Sequence, residues 1–405
     1  MDKQIENNLL LLCCRELING DKGDEIKDIL KKDLDWDIVL ERARKDNLSP
    51  LLYYSLKRIN GCFKALPPYA AKELKRYYYY TSARNTFTYN ELSKILKRLG
   101  DNGIDTILLK GAALAEVIYD EISLRPMTDV DLLIKREDFK KTNEILNTLG
   151  FKAKDRAPDI YEAIFSSYLN TFDYTNSGGM AFSLHLHWHL INSTIPTHSY
   201  IHKINMDKIW RDADQVSISG SKTMILSPHH FIIHLSEHAL RVRHSLNRLI
   251  FLLDISKTIQ RFNDRLDWEK LIKESYEFNL HRMVYQALHL NKIYMATQSL
   301  PEYVIDRLRP ARLSLGERIF MAYALKGKYP TGLSYTIHLS MNENFFQKIR
   351  FIYRTIFPPI RIVAQRGESI TSRFKISHYI FRIIEVFSHI LKGILNRRIH
   401  RGNFL

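Results

Sequence analysis

Apolar residues change their spacing several times along the chain, and those changes divide it. Over residues 1–84 they recur at helical intervals, with Leu9, Leu10 and Leu12 in one segment. Ile38, Val39, Leu40, Ala43, Leu48, Leu51, Leu52 and Leu56 fit two further helices broken near 47–50. A helix over 88–99 leads through Gly100 and Gly103 into a short apolar run, 106–109, that predicts a strand. Lys110 and Gly111 cut that run off, and Ala112, Ala113, Leu114, Val117 and Ile118 resume the helical period, so the order is strand, tight turn, helix. A second strand follows over 128–134, then a helix over 138–149 ended by Gly150. Runs at 167–174 and 181–190 flank Gly178 and Gly179, which predicts a hairpin. From Pro228 into the 320s the spacing is helical again, and nothing repeats at a fixed period.

The pattern predicts an α+β protein, a small mixed sheet embedded in mostly α-helical N- and C-terminal regions. The expected divisions are a helical region at 1–84, the sheet-bearing core at 85–225, a helical domain at 226–340 and a basic amphipathic tail at 341–405.

Chemistry concentrates between residues 105 and 135. Asp129 and Asp131 stand two apart on the second predicted strand and so project from the same face. Two carboxylates side by side repel unless a cation lies between them, and hard oxygen donors suit Mg²⁺ or Mn²⁺ held together with substrate phosphates. The glycine turn upstream lets backbone approach a phosphate, which makes Lys110, Gly111 and Ala112 candidate phosphate-positioning residues. Arg125 lies in the loop entering the aspartate strand and Thr128 opens that strand, and both are candidate nucleotide-binding residues. Arg125 has two expected uses, a bidentate phosphate contact or a salt bridge to Glu116, Asp120 or Glu121. His230, His234 and His238 share one helix face, with Asp254 on the next helix. The bolder reading is a metal-dependent phosphohydrolase cluster; the adopted one is that they bond within a helix pair or line a cleft.

Charge adds a second theme. The formal net charge is +16, and residues 345–405 hold twelve Lys or Arg against two Glu, a local +10. That favours an anionic partner, a membrane surface or nucleic acid, for the tail. Within it, Ile376, Ile380, Ile383, Phe387, Ile390 and Ile394 fall on one helical face. Three cysteines make no disulfide framework or metal knuckle, so the expected setting is cytoplasmic, with a peripheral position at the inner membrane face open to the tail.

LLKGAALAEVIY, RPMTDVDLLI and the LHLHWHL run at 184–190 resemble the uncharacterised bacterial nucleotidyltransferase family of the polymerase-β-like superfamily. The likeness extends to DWDIVLERARKDNLSPLLYYSLK and SPHHFIIHLSEHALRVRHSLNRLIFLLDISKTI, roughly residues 9–275 in the family's order. It implies a metal-dependent enzyme that moves a nucleoside monophosphate from a nucleoside triphosphate to an unidentified acceptor and releases pyrophosphate. Asp129 and Asp131 would be catalytic and, with His185 and His187, metal-binding.

The chain departs from that pattern twice. Gly111 is followed by Ala112 where a serine or glycine is usual, and His185 stands where a carboxylate is usual. Asp173 could restore the carboxylate, but a turn centred near 177–178 would pair it close to Phe182 and turn it away from His185. The third ligand is therefore open among His185, His187 and Asp173. A catalytically weakened protein that binds nucleotide or nucleic acid on the same fold is the alternative.

Overall fold

The computed structural model describes residues 4–153, 171–176, 182–191, 198–241, 246–325, 334–342 and 344–357. The break expected near 47–50 has a clear local cause. Helix Trp36–Lys45 starts under Asp35, whose carboxylate accepts from the backbone N–H of Asp37 and Ile38 at 3.1 and 3.2 Å. Asn47 then turns left-handed, at φ 59°, and Pro50 opens helix Ser49–Arg58.

Helix Pro68–Gly100 runs for 33 residues, and its buried positions, including Leu74, Thr81, Asn85, Thr88, Tyr89, Leu92 and Leu99, keep to three- and four-residue steps. The boundary expected at 84 falls inside it, so this helix carries the N-terminal region onto the sheet without interruption.

The sheet has seven strands: β1 Ile107–Leu109, β2 Val130–Leu133, β3 Phe151–Ala153, β4 Thr171–Asn176, β5 Ser183–His187, β6 Asp214–Ile218 and β7 Ser221–Ile225. Their order is β3-β4-β5-β2-β1-β7-β6. β1 pairs antiparallel with β2 and parallel with β7, while β2 runs parallel with β5. β1 and β2 are buried at every position, as strands covered on both faces must be. The architecture is the expected mixed α+β arrangement.

Three strands are not predicted by the pattern: β3, too short at three residues to show a period, and β6 and β7. β6 and β7 form a hairpin whose turn residues, Ser219 and Gly220, both have positive φ, 46° and 78°. That is the backbone a two-residue primed turn requires. Beyond β7 the described residues form helices and no strand, from Pro228–Leu240 through Ile250–Arg261, Trp268–Glu277 and His281–Met295 to Phe345–Ile356. Among the described residues no helix is long and apolar enough to cross a membrane. The amphipathic stretch expected at 376–394 and most of the basic tail lie outside the described residues.

Candidate active site

Asp131 is the centre of the site. It lies on β2 opposite Leu109 of β1 on one side and His185 of β5 on the other. Its buried Oδ1 receives Lys110 Nζ at 2.8 Å and lies 2.7 Å from His187 Nε2. His185 Nδ1 stands 3.2 Å from Asp129 Oδ2 and 3.6 Å from Asp131 Oδ1. Asp129 sits just before the strand, its carboxylate more open than that of Asp131 and steadied by a 2.8 Å hydrogen bond from Thr128 Oγ1. The two aspartates are thus brought together, with an imidazole between them.

The electrostatics follow from this packing. Burial pushes the Asp131 carboxyl up, but Lys110, His185 and His187 outweigh it and hold the group well below the usual carboxylate range. Burial lowers His185, yet Asp131, then Asp173 and Asp129, raise it above its ordinary value. His187 goes the other way, because burial dominates there.

The strand register corrects one expectation. Asp173 of β4 pairs directly with His185, not near Phe182, so it shares the face of His185 and its Oδ1 lies 3.6 Å from His185 Nε2. One residue of slip turns every side chain over. A carboxylate therefore does stand on the neighbouring strand.

The turn differs too. Lys110, rather than Gly111, adopts the left-handed conformation, at φ 47°. A side-chain-bearing residue there costs about 1–2 kcal/mol, offset by the pair with Asp131. Gly111 has ordinary backbone, and a Cβ added to it would lie 3.4 Å from Met127 Cγ and 3.9 Å from Arg125 Nη1. Ala112 is fully buried, and its carbonyl accepts from Tyr89 Oη at 2.7 Å.

Arg125 is neither of the things expected. Its Nε and Nη2 each donate at 2.8 Å to Asp254, and Nη1 donates to the Pro126 carbonyl. Tyr119 Oη adds a 2.8 Å bond to the same carboxylate. The partner is Asp254, not Glu116, Asp120 or Glu121, and the guanidinium is committed to backing the turn rather than facing a phosphate. Removing one member of such a buried pair strands the other. Arg125→Met is expected to cost about 3–5 kcal/mol in urea unfolding; a loss under about 1 kcal/mol would show the pair to be dispensable.

Pairing also separates the histidine helix from Asp254. His230 Nε2 lies 2.6 Å from Glu274, while His234 is fully buried and stacks on His238 at 6.4 Å between centroids. The three do not converge on one point with Asp254.

The long helix supplies supports that no motif announced. Arg84 donates to the carbonyls of Met127 and Thr128 at 3.1 and 3.3 Å, and Asn85 Nδ2 donates to that of Arg125 at 2.9 Å. The loop carrying Asp129 is thereby hung from a rigid element.

A family model described as an uncharacterised nucleotidyltransferase matches residues 32–296. The chain belongs to that family. A crystal structure of an antigenic nucleotidyltransferase-like protein from Paracoccidioides brasiliensis is similar at 15% identity and a TM-score of 0.34, over 55% of this chain and 92% of that one. No protein of curated function matches. Membership supports nucleotidyl transfer in general, and the Asp131 cluster beside the Lys110–Gly111 turn is the candidate site.

Proposed function

We propose that the protein transfers a nucleoside monophosphate from a nucleoside triphosphate to an acceptor hydroxyl, pyrophosphate leaving, with Mg²⁺ or Mn²⁺ as cofactor. The observation that carries this reading is the convergence of ligand atoms from Asp131, His185 and His187 within 4.8 Å of one another, with Lys110 on the same carboxylate. The donor set fits a dication. Three carboxylates, Asp129, Asp131 and Asp173, surround His185, and among the described residues Lys110 is the only Lys or Arg that pairs with them there. A divalent ion held by these residues would supply charge to the α-phosphate and to the departing pyrophosphate.

Each side chain then has a task. Asp129 and Asp131 hold the ion together with His185, and Thr128 orients Asp129. Lys110 Nζ, already at the rim of Asp131, reaches a phosphate oxygen. Gly111 leaves the triphosphate room against the turn. Asp173, half exposed, is the carboxylate positioned to take the proton of the incoming hydroxyl.

The test is label transfer: purified protein, each labelled triphosphate, Mg²⁺ or Mn²⁺ and cell extract as acceptor source. Transfer that disappears in Asp129→Asn supports the proposal. Binding of metal–nucleotide without transfer from any triphosphate would instead support the weakened, nucleotide-binding reading, which the imidazole of His185 in a carboxylate's place favours.

Gly111→Ala offers a sharper check on the turn. Its methyl would meet Met127 at ordinary contact distance, so stability is expected to stay level or rise by up to about 1 kcal/mol. Nucleotide affinity is expected to fall at least about tenfold, the worth of ~1.4 kcal/mol, because the methyl, packed on Met127 and Arg125, shifts the backbone that the triphosphate approaches. Unchanged affinity by titration calorimetry would remove Gly111 from the site.

For the tail, helix Phe345–Ile356 turns Phe345, Phe346, Ile349, Ile352 and Tyr353 to solvent beside Lys348 and Arg350. That arrangement supports peripheral contact with an anionic membrane surface.

A further inference from the structure

A second convergence of ligating groups lies outside the Asp131 cluster. His229 and His230 occupy the first turn of helix Pro228–Leu240, Glu274 comes from helix Trp268–Glu277, and Asp212 follows helix Met206–Arg211. One ligand atom from each lies within 4.8 Å of all the others. His229, His230 and Glu274 are almost wholly enclosed. We infer that Asp212, His229, His230 and Glu274 bind a single transition-metal dication of the zinc class, independently of nucleotidyl transfer.

At His229 the distances to the two carboxylates suit an ion better than they suit hydrogen bonding. Around a tetrahedral zinc with bonds of about 2.0–2.1 Å, neighbouring donors stand roughly 3.3 Å apart. His229 Nε2 lies 3.5 Å from Glu274 Oε2 and 4.0 Å from Asp212 Oδ2, too far to bond either well. His230 Nε2 lies 2.6 Å from Glu274 Oε2, so that edge opens by less than 1 Å when an ion enters. Two imidazoles and two carboxylates form a donor set typical of Zn²⁺ and its neighbours, and the two negative charges balance a dication.

The outer contacts point the same way. Ser227 Oγ lies 2.9 Å from His230 Nδ1, which fixes the ring with Nε2 turned toward the cluster. Lys270 lies 2.7 Å from Asp212 and Lys208 3.7 Å from Glu274. These lysines balance the carboxylates while the site is apo, and both reach solvent, so an ion can displace them. A cavity of about 850 Å³ opens beside Glu274, lined also by Lys208, Lys270, Asp267 and Glu269.

The test uses the full chain carrying Asp129→Asn and His185→Ala, which empties the nucleotidyltransferase site of two donors. After chelation and dialysis, Zn²⁺ is titrated by calorimetry and Co²⁺ is added as a visible-absorbance probe. One equivalent of Zn²⁺ is expected to bind, with a Co²⁺ spectrum of low coordination number, and both are expected to weaken at least tenfold in Glu274→Gln and His229→Ala. Asp212→Asn, at a helix end, is the variant that tests the site if a buried substitution prevents folding. It is expected to weaken Zn²⁺ at least tenfold and to alter the Co²⁺ spectrum. No binding in the parent, or equal affinity in Asp212→Asn and whichever other variant folds, overturns the assignment.

Discussion

Asp129→Asn is expected to lower metal-supported turnover by roughly 10³-fold, the scale on which removing one essential electrostatic group acts, while leaving the fold intact. Asp131→Asn is expected to lose turnover equally and to destabilise the protein by about 3 kcal/mol, the lower end for breaking a buried pair. The two differ because their surroundings differ. Asp129 is partly exposed, whereas Asp131 is buried against Lys110 and His187. Considered as a strand pair alone, two like charges repel, and their removal should leave stability level or raised. The structure reverses that expectation for Asp131, since Lys110 Nζ already neutralises it at 2.8 Å and would be stranded by its loss. Urea unfolding beside turnover with Mg²⁺ and Mn²⁺ separates the effects. An Asp131→Asn protein as stable as wild type would show that Lys110 finds another partner, and metal-dependent turnover persisting in Asp129→Asn would place the chemistry elsewhere.

Which parts were legible in the sequence follows from how local their causes are. β1 and β2 could be read because their apolar runs end abruptly at Lys110 and near Lys135, and the Asp129/Asp131 spacing needs only the period of a strand. β6 and β7 were missed although Ser219–Gly220 is a turn signal, because Asp214–Ile218 exposes much of its length and offers few apolar positions to read. Register is harder still. Asp173 was turned to the wrong face by a turn placed slightly off, and only the observed pairing with His185 restores a carboxylate to the site. Arg125 shows the limit: its partner is 129 residues away, across the sheet–helix boundary, where no spacing rule applies. Lys110 shows another, since a left-handed lysine is readable only after the Asp131 contact that offsets it is known.

The fold is expected to lose stability steeply as pH falls below about 6.5, the ordinary histidine value. His234 and His338 are fully buried with neither ring nitrogen hydrogen-bonded among the described residues. Burial, then nearby Lys110 and Arg241, push His234 well below its usual value, and burial followed by Arg241 takes His338 to about 3. Below pH 6.5 the unfolded chain binds these protons and the native state does not, so each neutral ring favours unfolding by about 1.4 kcal/mol per pH unit. By pH 5 that amounts to about 2 kcal/mol for His338, a large share of a typical net stability of roughly 5–15 kcal/mol, and His234 acts in the same direction. Asp131 and Glu274, both held low, add losses only further down, as pH falls through the carboxylate range. His185 opposes the trend: its raised value contributes stability below 6.5 that is lost as pH climbs through that raised value. The decisive variant is His338→Phe, because the ring stacks on Tyr200 and Phe351 with centroids 6.0 and 6.3 Å away, so a phenyl group fits the same slot. Stability at pH 7.5 is expected to hold or rise, since two unpartnered buried nitrogens are removed. Denaturant unfolding at pH 7.5, 6 and 5 should show the slope below 6.5 shallower by about 1.4 kcal/mol per pH unit than in wild type; an unchanged slope would mean that His338 is protonated without opening the fold.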